Sequence, residues 1–369
     1  MCTCIVNAIE RDGPMPFTRY MQMALYEPGL GYYVNGLLKF GSSGDFITAP
    51  ESGDLFAHAL ARTIDRAAES LGPDWTMLEL GPGSGALAAG LVEHLERPPA
   101  HYLLLEPSAM LREVQRERLD GLMDDGVTEF EWIERPPDAD FHGVIVGNEV
   151  MDALPVERFE VRADGFDRLC VTTGERGFEW ARRPADGRLA GALAALNEAL
   201  DAPLAPGYQS ELCVDLPDWL ATVLAPLKKG LALLVDYGYR RHEFYHPDRR
   251  EGTLVCHYRH RAHFDPFVWP GLTDLSAFVD FSAAAEAGQA LGFDLLSLCN
   301  QADFLLASGV HSAIEDADDD LERLRLAAEF KRLVLPGEMG EKFKLLALGR
   351  GLPDDFGDLL PPSRLSSIG

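Results

Sequence analysis

Two carboxylates that close short apolar runs mark where this chain can do chemistry. Trp75-Thr76-Met77-Leu78-Glu79-Leu80 leads into Gly81-Pro82-Gly83-Ser84-Gly85-Ala86, and Tyr102-Leu103-Leu104-Leu105 leads into Glu106. A glycine turn lets backbone approach a ligand, and the helix after it presents N–H groups without intrahelical partners. An acid closing the next strand can take the two ribose hydroxyls of an adenosine-containing cofactor. The glycine pattern satisfies the relaxed G-x-G-x-x-G/A form of dinucleotide sites. It equally suits S-adenosylmethionine (SAM), whose amino-acid end faces such a loop. Glu79 favours SAM, because a carboxylate inside the strand end can engage the ammonium group. SAM is therefore the expected cofactor, with a purely structural glycine turn as the alternative.

A third constellation follows the apolar run His142-Gly143-Val144-Ile145-Val146-Gly147. It reads Asn148-Glu149-Val150-Met151-Asp152-Ala153-Leu154-Pro155. In a doubly wound sheet this strand end lies beside the glycine loop, and polar groups buried there need partners. Methyl transfer to nitrogen fits, since attack on a sulfonium depends mainly on in-line positioning. A guanidinium acceptor must have a lone pair created at one nitrogen, and carboxylates binding the other nitrogens can localise its charge. Glu149, Asp152 and Asn148 are the candidates. The competing reading makes Asp152 a helix N-cap and Glu149 part of a helix start.

Cys256-His257-Tyr258-Arg259-His260-Arg261-Ala262-His263 resembles a metal site in composition, but its spacing matches no standard zinc pattern. No metal is expected; a substrate-facing loop is the preferred reading. Cys2-Thr3-Cys4 reads as a frayed terminus.

These residues need a scaffold. Strands are expected near 76–80, 101–105, 127–133 and 142–147, with helices at 84–95 and 108–119 between them. This alternation specifies a doubly wound parallel sheet. Helices are also expected at 17–25 and 55–70. Asp164-Gly165 between Phe159-Glu160-Val161-Arg162 and Leu169-Cys170-Val171-Thr172 signals a hairpin, followed by helices at 189–200 and 219–227. A buried strand resumes at 231–238, residues 241–272 lack periodicity, a helix at 282–291 precedes a strand at 293–299, and 343–348 is the last strand. A dehydrogenase would more naturally continue with a second mononucleotide half where the hairpin stands.

The resulting division is an N-terminal helical cap with a cofactor-covering loop (1–70), the first part of the core (71–155), and an insertion for substrate recognition (156–225). The remainder of the core (226–350) carries the 241–272 loop, and a tail (351–369) ends the chain. The net charge of −26 disfavours nucleic acid and anionic membrane, which call for clustered Lys and Arg, and is compatible with a basic client segment. No run has the length of a membrane span. Six scattered cysteines suit a reducing compartment, and a cytoplasmic location is expected. A protein client with a basic segment and a homodimer are the partner expectations.

At this point the chain resembles the MidA-type SAM-dependent methyltransferases. The resemblance is carried by Glu27-Pro28-Gly29-Leu30-Gly31-Tyr32-Tyr33, by Gly44-Asp45-Phe46-Ile47-Thr48-Ala49-Pro50-Glu51, and by Glu79-Leu80-Gly81-Pro82-Gly83. Asn148 to Pro155, Val235-Asp236-Tyr237-Gly238, Pro270-Gly271-Leu272-Thr273-Asp274-Leu275 and Met339-Gly340-Glu341-Lys342-Phe343-Lys344 continue it in order. It implies a class I fold: a Rossmann-like, seven-stranded α/β sheet with SAM as cofactor. The eukaryotic branch comprises mitochondrial complex I assembly factors that dimethylate a subunit arginine, so a protein arginine acceptor is implied by analogy. Under this resemblance Glu79, Gly81 and Gly83 line the amino-acid end of SAM, and Glu106 takes the ribose. Asp45 and Thr48 belong to a loop over the cofactor, and Asn148 and Glu149 frame the acceptor. Glu131 and Trp132 stand either beside the adenine or as ordinary surface and core. Two rival functions are a SAM-binding assembly chaperone with little turnover and a methyltransferase for a small molecule.

Overall fold

The computed structural model describes residues 1–35, 48–123, 126–259 and 261–363. Its central sheet has seven main strands: β1 (Thr76–Leu80), β2 (His101–Leu105), β3 (Glu129–Ile133), β4 (Phe141–Asn148), β5 (Leu227–Tyr239), β6 (Asp294–Asn300) and β7 (Phe343–Arg350). Their spatial order is β3-β2-β1-β4-β5-β7-β6. Only β7 opposes its neighbours. A two-residue strand, Val279–Asp280, adds beside the end of β5.

The strands alternate faces, which is why both sides carry helices. Met77, Tyr102, Val144, Val146, Leu231 and Leu233 pack with helices Leu55–Ala68, Ala86–His94, Gln301–Ser308 and Asp320–Val334. Leu78, Leu80, Ile145, Ala232 and Leu234 pack with helices Leu216–Leu224 and Phe281–Ala290. The parallel register aligns the carboxyl ends: Leu80 stands opposite both Leu105 and Gly147, and Asn148 opposite Val235. The order turns back on itself between β1 and β4, which is where ligands sit in such sheets.

A cap covers this edge. The expected hairpin forms between Glu157–Arg162 and Gly165–Gly174 and grows into a five-stranded sheet with Met15–Pro16, Gly177–Pro184 and Gln209–Leu212. Val255–Tyr258 pairs with Arg261–His263 and Asp274–Ser276 in a second, three-stranded sheet. Helices Cys2–Asp12 and Phe17–Tyr26 share a core with Val171, Cys256 and Leu275 from both sheets.

Three expectations change. Cys2-Thr3-Cys4 is not frayed but opens a helix, because Ile5 and Ile9, one turn apart, anchor it in the cap core. Residues 241–272 contain two short strands and a helical turn, whose length and partial exposure hide their period. The first 70 residues divide between two packings: helices 2–12 and 17–26 join the cap, whereas Leu55–Ala68 packs into the central core.

Candidate active site

The glycine loop after β1 keeps Gly81, Gly83 and Gly85 in the left-handed region, with φ of 59°, 57° and 80°. A Cβ at Gly81 would come within 2.9 Å of Val150 Cγ1. Glycine is thus required by conformation and, at position 81, also by the close approach of the acceptor-side turn. Helix Ala86–His94 begins directly after the loop, its first N–H groups toward the ligand edge.

Glu79 is buried and accepts a hydrogen bond from the Tyr102 hydroxyl at 2.7 Å. Burial pushes its carboxyl up to about 7, against the opposing effect of Tyr102. A carboxylate so desolvated gains from a cationic partner. Glu106 accepts from Ser108 N at 2.8 Å and Gln115 Nε2 at 3.4 Å, and burial pushes it up to about 7 as well. Gln115 also donates to Gly83 O at 2.8 Å and accepts from Trp132 Nε1 at 2.9 Å. One buried amide thereby ties together the glycine loop, the ribose-side acid and β3. Trp132 and Glu131 are not on the cavity wall, which is built there from Leu111, Glu134, Arg135 and Pro136. The indole of Trp132 is spent on Gln115 and lies under the Arg116 guanidinium, as its ordinary reading has it.

Asp45 lies outside the described residues. Thr48 is on the cavity wall, just ahead of the short helix Ala49–Ser52. Glu51 from that helix bonds the Ser84 hydroxyl, which also receives Arg118 Nη1 at 3.0 Å.

The acceptor side begins where β4 ends. No helix follows Asn148, so Asp152 is not an N-cap; the chain makes a tight turn with Glu149 at φ 54°. Asn148 Nδ2 donates to Glu149 Oε1 at 3.0 Å, and Glu149 N donates to Val235 O at 2.8 Å. The amides of Val150, Met151 and Asp152 all donate to Asp236 Oδ2, at 3.1, 2.7 and 3.2 Å, and Tyr237 N donates to Asp236 Oδ1 at 2.8 Å. Asp274, also buried, accepts from the Tyr33 hydroxyl and Ser276 Oγ, each at 3.0 Å. Tyr26 donates to Ala153 O at 2.9 Å.

Burial first, then Asp152 and Asp274, push Glu149 up to about 8. Burial pushes Asp152 up to about 6, with Ser276 opposing. Asp236 is driven up by burial, then by Asp152 and Glu149, while the turn amides resist. The largest influences on these three groups are burial, other carboxylates and neutral donors. Among the described residues, Asn148 Oδ1 is buried with no hydrogen-bond partner. Such a cluster is electrostatically incomplete without a cation.

Both halves line one cavity of about 1150 Å³. Small-ligand pockets typically hold roughly 300–1000 Å³, so there is room for a cofactor and an acceptor side chain together. The sequence reading brought Glu79, Gly81, Gly83, Glu106, Thr48, Asn148, Glu149 and Asp152 to this site, and all eight are on its wall. It passed over Asp236, Asp274, Gln115 and Tyr33. Asp236 carried a usable signal, since it closes an apolar run just as Glu79 and Glu106 do. His257 lines the cavity, but the hairpin register sets it on the opposite face from His263, and His260 is outside the described residues. Among the described residues, no group of three or more His, Cys, Asp or Glu side chains is arranged to hold a metal.

A family model for S-adenosyl-L-methionine-dependent methyltransferases matches residues 55–299. The chain belongs to this family. The fold agrees with a crystal structure of a COG1565 superfamily member from Burkholderia thailandensis bound to S-adenosyl-homocysteine. That protein is 38% identical, with a TM-score of 0.90 covering 100% of this chain and 96% of the other. A native crystal structure of a COG1565 superfamily protein from the same organism superposes with a TM-score of 0.88 at 38% identity, over 100% of this chain and 96% of that one. Among curated relatives, a zebrafish (Danio rerio) protein arginine methyltransferase NDUFAF7, mitochondrial, is 28% identical over 93% of this chain and 85% of its own length. The mouse (Mus musculus) protein of that name is 26% identical over 93% and 83%. The methyltransferase thus carries a class I sheet and uses SAM. The buried Glu79 carboxylate and a glycine loop with no space for a Cβ at Gly81 fit the amino-acid end of that cofactor. No helix among the described residues is long and apolar enough to cross a membrane.

Proposed function

We propose that this methyltransferase acts on an arginine side chain of a protein, with a respiratory complex I subunit or a similar client as its target. The observation that carries the reading is the cluster of Glu149, Asp152 and Asp274 on the cavity wall, with Asp236 behind it and no basic group among the largest influences on Glu149, Asp152 or Asp236. The naming of the zebrafish and mouse relatives as arginine methyltransferases supports it.

When bound, SAM supplies a methyl group on a sulfonium; the remaining work falls to the chain. Glu79 holds the ammonium end, and Glu106 takes the ribose hydroxyls. Glu149, with Asp152 beside it, binds two guanidinium nitrogens and draws positive charge toward them, which leaves electron density on the third. Asn148 Oδ1 accepts a further N–H. A new N–C bond forms at the attacking nitrogen as the methyl–sulfur bond breaks, and the nitrogen gives up one proton. Glu149, with a pKa pushed up to about 8, is the base placed to receive that proton once it is ionised, at and above about pH 8. Six free thiols support a reducing compartment such as the cytoplasm.

The test is transfer from isotope-labelled SAM to proteins of cells lacking this enzyme, read by mass spectrometry. Label on arginine supports the proposal. Label confined to small molecules or to lysine refutes it, and tight client binding without label favours an assembly chaperone.

A further inference from the structure

Asp236 is fully buried at the end of β5, whereas its neighbour Tyr237 and the facing Val150 line the cavity. It touches no ligand space, yet it receives four backbone N–H groups, three of them from consecutive residues of the turn that carries the acceptor carboxylates. Consecutive amides converging on one oxygen form an anion-binding concavity, here filled by the protein's own carboxylate. That turn has no helix or strand to define it, and it starts with a side-chain-bearing residue at φ 54°. Such a conformation persists only where its surroundings over-determine it. Three tethers do so: Asp236 on residues 150–152 and Val235 O on Glu149 N, both from β5, and Ala277 N, which donates to Asp152 O at 3.0 Å.

We propose that Asp236 is a positioning residue for methyl transfer: its carboxylate fixes the 149–152 turn so that Glu149 and Asp152 face the acceptor half of the cavity. The inference rests on the reading of those two carboxylates as the acceptor site. Asp236 makes no side-chain hydrogen bond to the glycine loop, whose link to the turn is the packing of Val150 against Gly81, so its loss falls first on the acceptor half of the cavity.

Asp236→Asn keeps the shape and offers one acceptor oxygen. Whichever way its amide is turned, an NH2 faces N–H donors, the turn amides on one side or Tyr237 N on the other. The variant should bind SAM with full stoichiometry and an affinity within threefold of the wild type. Acceptor KM should rise and kcat should fall, each at least tenfold per SAM-binding molecule. A purely structural role predicts reduced SAM stoichiometry with acceptor KM unchanged, and that result, or wild-type kinetics, overturns the proposal. Should the variant fail to fold, amide hydrogen exchange of the wild-type protein decides. The amides of Val150, Met151 and Asp152 should exchange at least a hundredfold more slowly than an unprotected loop, and loop-like exchange refutes the tether. A wild-type enzyme that transfers nothing to arginine would defeat the acceptor reading, while the exchange data would still judge Asp236.

Discussion

Replacing Glu149 with Gln removes one buried charge while keeping shape, and its effect on stability should depend on pH. In the unfolded chain this carboxyl ionises near its ordinary 4.5, whereas in the folded protein it is pushed up to about 8. Between these values the folded state holds a proton that the unfolded state has released. Wild-type stability therefore falls as pH rises through this window, and the loss is complete only above 8. At about 1.36 kcal/mol per pKa unit the ceiling is about 5 kcal/mol. Glu149 keeps one side toward the cavity, so water screens part of this and a realised loss of about 2–3 kcal/mol is expected. A glutamine cannot ionise and escapes it. In thermal unfolding without cofactor the variant and the wild type should differ little at pH 5. At pH 9 the variant should melt higher by roughly 4–9 °C, taking about 2–3 °C per kcal/mol. At pH 7.5 the same variant should still bind SAM while transfer drops by two or more orders of magnitude. A melting difference that does not change with pH, or that favours the wild type as pH rises, would refute a buried, cation-seeking Glu149.

Four further outcomes follow from the same geometry. Acceptor kcat/KM should rise from about pH 6 through 8 and level off only above that, because a guanidinium needs Glu149 and Asp152 ionised; a profile falling over that range argues against it. Gly83→Val should abolish SAM binding in calorimetry, since φ of 57° and the ligand-facing loop both exclude a branched side chain; normal binding by a folded variant would remove the loop from the site. Gln115→Ala should weaken SAM binding about 10-fold or more by freeing Gly83 O, Glu106 and Trp132 together, with an unchanged affinity as the contrary result. A client with its target arginine changed to lysine should not be methylated, because an ammonium cannot fill a bidentate site, and client capture should weaken with salt; equal methylation of the lysine form would move the acceptor elsewhere.

The central sheet was legible because its strands are buried on both faces and therefore appear as continuous apolar runs. Leu231 to Val235 and Val144 to Val146 are cases in point. Glu79 and Glu106 were legible because an acid ending such a run is conspicuous. The cap was harder to see. Gly177–Pro184 is mostly exposed and alternates only over its first four residues, and Arg261–His263 is too short to alternate. Asp236 and the turn it holds are 84 to 86 residues apart, so nothing local announces the contact. Asp274 meets Tyr33 across 241 residues for the same reason. Gln115 looked like one more polar residue on an amphipathic helix until packing turned it inward.

The way the cap is tied together bears on how the chain is made. Met15 pairs with Val171, and Phe17 and Tyr20 bury against a core that also needs Cys256 and Leu275. During synthesis, helices Cys2–Asp12 and Phe17–Tyr26 therefore leave the ribosome long before the strands of the two cap sheets that complete their core. Their apolar faces stay uncovered while the cofactor half of the sheet, Thr76 to Asn148, is already complete enough to collapse. Closing so long a loop adds little to the equilibrium cost, which grows only with the logarithm of loop length, but it delays the event. These early-made helices are thus among the last parts to settle, and the acceptor wall that Tyr26 and Tyr33 help build can be finished only after the 274–276 strand has emerged.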